Sequence, residues 1–214
     1  MKRSSKSLVF ILVLAVAVAF SFAVPAESVS AASKTKKMSV YDCIKSGDTV
    51  YCTNDHYIFK VDLKTKNVTI LTGGKCYPNM LKLKGKYLYY RDSHQGFAVK
   101  GYTGELYRIN VKTKAKKKLA YASYYAIKGK KIYVNADRLK GDKVKTSKRV
   151  MKLNGKSKKK TKYKVKNVYK DTNVSGYYVT DDVDWDDYYD QPANYYLRTP
   201  SGYILLESLP YPII

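Results

Sequence analysis

Histidine, cysteine, tryptophan and arginine are scarce in this 214-residue chain: two His, three Cys, one Trp and six Arg. That is too little material for a large metal centre or a multi-residue catalytic constellation. No Ser or Cys stands at motif spacing with either His, and no glycine-rich phosphate loop or zinc-ligand spacing is present. Because only six of the 41 basic residues are Arg, the planar fork that reads phosphates and base edges is rare. Sequence-specific nucleic-acid recognition is therefore disfavoured. Helical periodicity is missing after residue 33, which argues against bundles and parallel α/β sheets.

What the chain does have is lysine, 35 of them, and tyrosine, 23. So much aromatic material is incompatible with a disordered polymer. The formal net charge is +24, and a lysine charge acts through diffuse fields more than through bidentate contacts. It is unevenly spread. Residues 33–170 hold 37 basic and 8 acidic side chains, whereas residues 171–214 hold one basic and 8 acidic. A basic body thus carries an acidic C-terminal quarter.

The N-terminus reads as an export signal. Lys2, Arg3 and Lys6 precede an apolar run from Leu8 to Val24, Pro25 ends it, and Val29-Ser30-Ala31 and Ser30-Ala31-Ala32 both satisfy the small-x-small cleavage rule. The expectation is a signal peptide over 1–32 and a secreted mature chain, with an uncleaved anchor as the rival.

A β-rich phrase then recurs four times. Gly47-Asp48-Thr49-Val50-Tyr51-Cys52, Gly85-Lys86-Tyr87-Leu88-Tyr89-Tyr90, Gly129-Lys130-Lys131-Ile132-Tyr133-Val134 and the shorter Gly176-Tyr177-Tyr178-Val179 follow at intervals of 38, 44 and 47 residues. A second strand follows the first three: Ile58 to Leu63, Leu106 to Val111, Val150 to Asn154. Phe59, Val61 and Leu63 share one face by period-two alternation, as do Tyr107, Ile109 and Val111. A turn of constant form comes next: Asp62-x-Lys64-Thr65-Lys66, Asn110-x-Lys112-Thr113-Lys114, Asn154-x-Lys156-Ser157-Lys158. Asp or Asn at its start can fold back as an Asx-turn. With a third strand after the turn and an apolar stretch before each glycine, a unit is four short strands.

One meander cannot bury both of its faces, and stacking such sheets side by side solves that. The expected class is all-β, a β-propeller-like array of four four-stranded antiparallel blades at about 38–74, 77–120, 122–166 and 167–214. It would be a closed ring, an open arc or half of a dimeric ring. The phrase Tyr87-Leu88-Tyr89-Tyr90 … Glu105-Leu106-Tyr107-Arg108-Ile109-Asn110-Val111 … Lys116-Lys117-Lys118-Leu119 resembles the repeats of secreted bacterial β-propellers of the TolB-like and low-density-lipoprotein-receptor types. That resemblance implies fold and is nearly silent on function. It departs from those families in length, since they usually have six or more blades.

With strands labelled a to d from the inside out, a–b and c–d turns fall on one edge of every sheet and b–c loops on the other. The turns carry Lys84, Lys86, Lys128 and Lys130 (a–b) and Lys64, Lys66, Lys112, Lys114, Lys156 and Lys158 (c–d). That edge is expected to attract polyanions; the competing reading is a solvated surface, with Lys116 to Lys118 guarding an outer strand. The b–c loops, Asp92 to Gly104, Arg138 to Ser147 and Asp181 to Ala193, are long and dissimilar, as binding loops often are.

Within the last of these, Asp182, Asp184 and Asp186 have calcium-loop spacing, but Asp187 stands where an EF-hand needs glycine and Ala193 where it needs Glu. A looser calcium site competes with a solvated acidic loop. Trp185, Tyr188 and Tyr189 give that loop an aromatic surface suited to sugar rings or cationic groups. Cys43 and Cys52 face each other if Gly47-Asp48 is the two-residue turn, and export would then favour a disulfide; Cys76 is left over.

The reading that follows is a secreted, non-enzymatic binding protein of the bacterial surface. Its lysine edge would meet an anionic cell-wall polymer or lipid surface, and its loop edge a second protein or glycan. No cofactor is required, calcium aside. The alternatives are a propeller-type metal-dependent hydrolase and a purely structural, self-assembling protein.

Overall fold

The first three glycine phrases fold as hairpins. Gly47, Gly85 and Gly129 lie at φ 59°, 57° and 56°, the positive values that a two-residue turn between antiparallel strands demands. The computed structural model describes residues 41–54, 56–73, 77–93, 100–166, 176–181 and 193–209. The expected signal segment, Cys76, His94 and the loop bearing Asp182, Asp184, Trp185, Asp186, Tyr188 and Tyr189 lie outside the described residues.

Among the described residues every element is a strand, arranged as four antiparallel sheets. The first is a meander of β1 (Cys43–Ser46), β2 (Thr49–Thr53), β3 (Ile58–Asp62) and β4 (Val68–Thr72). The second repeats it with β5 (Pro78–Lys84), β6 (Tyr87–Asp92), β7 (Glu105–Asn110) and β8 (Lys116–Tyr121). The third comprises β9 (Tyr124–Lys128), β10 (Lys131–Lys140), β11 (Lys143–Lys152) and the short β12 (Lys159–Lys160). In the fourth, β13 (Tyr178–Asp181), β14 (Ala193–Thr199) and β15 (Gly202–Leu209) are described. The β-propeller-like array of antiparallel blades is thus the observed architecture.

Both faces of a strand carry apolar side chains, so each inner sheet is sandwiched. Tyr51, Ile58 and Leu71 of the first sheet pack against Leu81, Leu88, Tyr90 and Ile109 of the second. The second sheet's other face, Tyr89, Leu106 and Leu119, packs against Tyr125, Ile132, Val134 and Met151 of the third. The first sheet's other face, Cys43, Val50, Cys52, Phe59 and Val61, packs against Val179, Tyr195, Leu197, Ile204 and Leu206 of the fourth. The stacking order is therefore third, second, first, fourth, and no described core cluster joins the third sheet to the fourth. The fourth sheet's remaining face exposes Tyr178, Tyr203 and Leu205.

Tyrosine hydroxyls tie the second and third sheets together. Tyr125 donates to the main-chain oxygens of Met80 and Tyr89, and Tyr89 donates to that of Leu153. Burial pushes the Tyr125 phenol well above its ordinary range, so it stays a donor across physiological pH.

The stretch from Arg138 to Ser147 departs from expectation. It is not an irregular loop but the far half of a hairpin, because β10 and β11 pair residue for residue from Lys131–Lys152 to Lys140–Lys143. Gly141, at φ 57°, makes another two-residue turn. The loop before β7 braces this arm: the Leu139 N–H donates to Gly101 O at 2.9 Å and Arg138 Nε to Lys100 O at 3.2 Å.

Candidate functional site

The conserved form of the c–d turns has a local cause. Asp62 Oδ1 accepts the N–H groups of Lys64 and Thr65 at 2.9 and 3.0 Å. Asn110 Oδ1 does the same for Lys112 and Thr113 at 3.0 and 3.4 Å, and Asn154 Oδ1 accepts Lys156 N–H at 2.9 Å. These are Asx-turns. Each then needs a left-handed residue, supplied by Lys66, Lys114 and Ser157 at φ 57°, 58° and 56°. The hydrogen bonds from the Thr65 and Lys64 amides hold Asp62 below the ordinary carboxylate range.

Neighbouring turns of one sheet meet at one edge. Leu63 N–H donates to Asp48 O at 2.8 Å, and Val111 N–H to Lys86 O at 3.1 Å, so in the first and second sheets the c–d turn rests on the a–b turn beside it. The ten lysines expected there are all exposed: Lys64, Lys66, Lys84, Lys86, Lys112, Lys114, Lys128, Lys130, Lys156 and Lys158. Lys64 Nζ pairs with Asp48 at 2.7 Å, and that contact raises its pKa. Among the described residues none of the other nine has a carboxylate partner.

Tyrosine does part of what carboxylates would do. Lys86 lies 5.7 Å from the Tyr87 ring centre and Lys128 4.2 Å from that of Tyr163. On the outer strand of the second sheet, Lys116 lies 4.4 Å from the Tyr107 centre and Lys118 4.2 Å from that of Tyr121. A ring face attracts a cation without cancelling its charge. This pairing escaped the sequence reading, although the joint excess of Lys and Tyr was its signal.

Cys43 and Cys52 are directly opposed across the first hairpin, with Gly47-Asp48 as the turn. Both are fully buried, and both are free thiols. Their step adjoins the Asp42–Thr53 pair, in which Thr53 N–H donates to Asp42 O. They occupy the next, non-hydrogen-bonded position, where opposed side chains come closest. Burial, then contact with the Cys43 thiol, pushes Cys52 well above the ordinary thiol range.

Among the described residues no three His, Cys, Asp or Glu side chains gather. His56 packs its ring 5.1 Å from that of Tyr77. The structure adds one feature that spacing alone could not reveal, an open cleft between β8 and the β10–β11 hairpin.

No family model matches the sequence, and no curated protein is significantly similar to it. Several solved β-propeller-containing structures resemble the fold. The N-terminal domain of Nup159 aligns at a TM-score of 0.38 and 12% identity, over 76% of this chain and 45% of that one. The β-propeller domain of the trilobed protease from Pyrococcus furiosus, described as having an open velcro topology, aligns at 0.39 and 12%, over 79% and 58%. The acylaminoacyl peptidase of Pyrococcus horikoshii aligns at 0.38 and 12%, over 80% and 32%. This chain thus spans about a third to three fifths of the proteins it resembles. Likeness this distant carries nothing about activity, and the architecture stands on the four sheets themselves.

Proposed function

We propose that the chain is a non-enzymatic binding protein exported from a bacterial cell, and that its turn edge holds an anionic polymer of the cell wall. One observation supports this above the rest. Ten exposed lysines occupy recurrent hairpin turns, and nine of them have no carboxylate partner among the described residues. Lysines serving only solubility need no equivalent positions. Here the same Asx-turn presents a Lys at the same offset in three successive sheets. Such an array raises the local potential and draws in polyanions. The opposite edge is left in this reading for a protein or glycan, and the sequence offers Trp185, Tyr188 and Tyr189 as its aromatic contacts.

Retention of the purified protein on isolated cell walls, measured from low to physiological salt, tests the proposal. Binding should weaken steeply with salt, with a log–log slope that grows with the number of lysines engaged, because each contact releases counterions. Replacing Lys64, Lys66, Lys112, Lys114, Lys156 and Lys158 with Gln should flatten the slope and leave the fold intact. If that variant binds like the parent, or if the parent shows no salt dependence, the edge is a solvated surface. Retention on anionic lipid vesicles but not on walls would replace the polymer with a membrane.

A further inference from the structure

Between the outer strand of the second sheet and the face of the β10–β11 hairpin lies an open cleft of about 370 Å³, within the size range of small-ligand sites. Its floor is apolar, built from Leu119, Val134 and Ala136. One end is aromatic: Tyr102 and Tyr121 stack with ring centres 4.2 Å apart and planes 7° from parallel. Lys118, Arg149, Lys158 and Ser147 complete the lining, with Lys118 over the Tyr121 ring.

Charge is out of balance in this cleft. Lys118 is held by Glu105, which raises its pKa against the opposing pull of burial. Arg149 and Lys158 have no carboxylate partner among the described residues. Lys158 is pushed below the ordinary lysine range by burial and by the nearby charges of Arg149, Lys117 and Lys118. Cations crowded without counter-charge repel one another. A multivalent anion placed among them removes that repulsion and meets a guanidinium fork and two ammonium groups. The ring faces are taken, by each other and by Lys118 over Tyr121 and Arg138 over Tyr102, so a compact carbon skeleton would meet the tyrosine edges and the apolar floor.

We infer that this cleft is a discrete binding site for a phosphate ester carried on a small polyol or sugar, with Arg149, Lys158 and Lys118 on the phosphate and Tyr102 and Tyr121 against the carbon skeleton. Only Lys158 is shared with the turn edge, so the site does not depend on that edge holding polymers. The ester can come from a free polyol phosphate or from one repeat of a phosphate-bridged polymer, and the two are separable by experiment.

The test is calorimetric titration of the full mature chain with glycerol 3-phosphate, with a poly(glycerol phosphate) chain, and with uncharged glycerol. The near-ultraviolet circular dichroism of the stacked tyrosines supplies a second readout. Expected are binding of a phosphate ester, none of glycerol, a change in the tyrosine signal, and a loss of roughly tenfold or more in the double variant R149Q/K158Q. The control K140Q/K143Q, at the exposed tip of the β10–β11 hairpin, should bind glycerol 3-phosphate like the parent. Binding of the monomer identifies a free ester as sufficient, whereas R149Q/K158Q-sensitive binding of the polymer alone identifies the repeat. The proposal is overturned if neither phosphate binds the parent, if R149Q/K158Q binds both unchanged, or if glycerol binds as well as its phosphate. Loss of wall retention in a five-Gln variant that keeps Lys158 (Lys64, Lys66, Lys112, Lys114 and Lys156 exchanged), with glycerol 3-phosphate binding abolished only by R149Q/K158Q, would show the two sites to be separate. Both exchanges remove repulsion at exposed positions, and a thermal melt verifies the variant's fold.

Discussion

Asn135 grips the main chain of Val165 from both ends of its amide: Nδ2 donates to Val165 O at 2.8 Å, and Oδ1 accepts Val165 N–H at 3.1 Å. Both residues are buried, so neither Val165 group has water as a substitute. Asn135→Ala should cost about 2–4 kcal/mol, since two buried polar groups lose their partners. Asn135→Asp should be comparably harmful, because it replaces the donor with a second acceptor facing a carbonyl. Urea unfolding measures the loss, and hydrogen exchange at the Val165 amide should rise with it. A variant as stable as the parent would refute the clamp.

The c–d turns allow opposite signs within one loop. Asn110→Ala removes the acceptor for two amides and should destabilise by about 1 kcal/mol. Lys114→Gly, four residues on, relieves a left-handed side chain and should stabilise by about 0.5–1 kcal/mol despite deleting a charge. Asp62 adds a pH signature. Its folded pKa lies below the ordinary value, so its contribution is complete above that value and is lost as pH falls through the lowered one. Asp62→Asn should flatten the acid limb of stability; an unchanged limb would place the acid sensitivity elsewhere.

Lys158 works in the opposite sense. Its folded pKa lies below that of the free side chain, so the unfolded chain binds more protons in the window between the two values. Stability should rise as pH climbs through that window, and the penalty is in force below it. Lys158→Gln should therefore give a small gain at neutral pH, within roughly 0.5 kcal/mol because the group is largely exposed. The gain should vanish at alkaline pH. A variant less stable than the parent at neutral pH would contradict the crowding of Arg149, Lys117 and Lys118 around it.

Two fully buried thiols face each other in the first hairpin, and their burial shields them. Cys43 and Cys52 should resist alkylation in the native protein and react fully in denaturant. An oxidant applied during refolding should link them, and the closed loop should stabilise the fold by about 2–3 kcal/mol. Peptide mapping without reductant identifies the pair. A link from Cys43 to Cys76 instead would contradict the hairpin register.

Much of this fold is written in short-range chemistry. The two-residue turns at Gly47, Gly85 and Gly129, the Asx-turns at Asp62, Asn110 and Asn154, and the opposition of Cys43 to Cys52 follow from residues within ten positions of one another. The far half of the β10–β11 arm, from Arg138 to Ser147, reads as a loop because it is so rich in lysine that apolar alternation is missing. Only the Leu139–Val144 pair and the Gly141-Asp142 turn betray it. The cleft was illegible for another reason. Tyr102, Lys118, Arg149 and Lys158 sit on four separate segments, and only the packing of one sheet on the next brings them together.

That the fourth sheet packs on the first has a consequence in time. Cys43, Val50, Cys52, Phe59 and Val61 are covered by side chains that begin at Val179 and end at Leu206. A chain emerging N-terminus first therefore displays its earliest sheet half bare until its final hairpin arrives. Non-local contacts of this span form late. The tail acts as the latch of the assembly: a stop codon that removes β13, β14 and β15 would leave a greasy surface carrying two accessible thiols. During that interval the same thiols are open to any oxidant, and once the latch closes they are not.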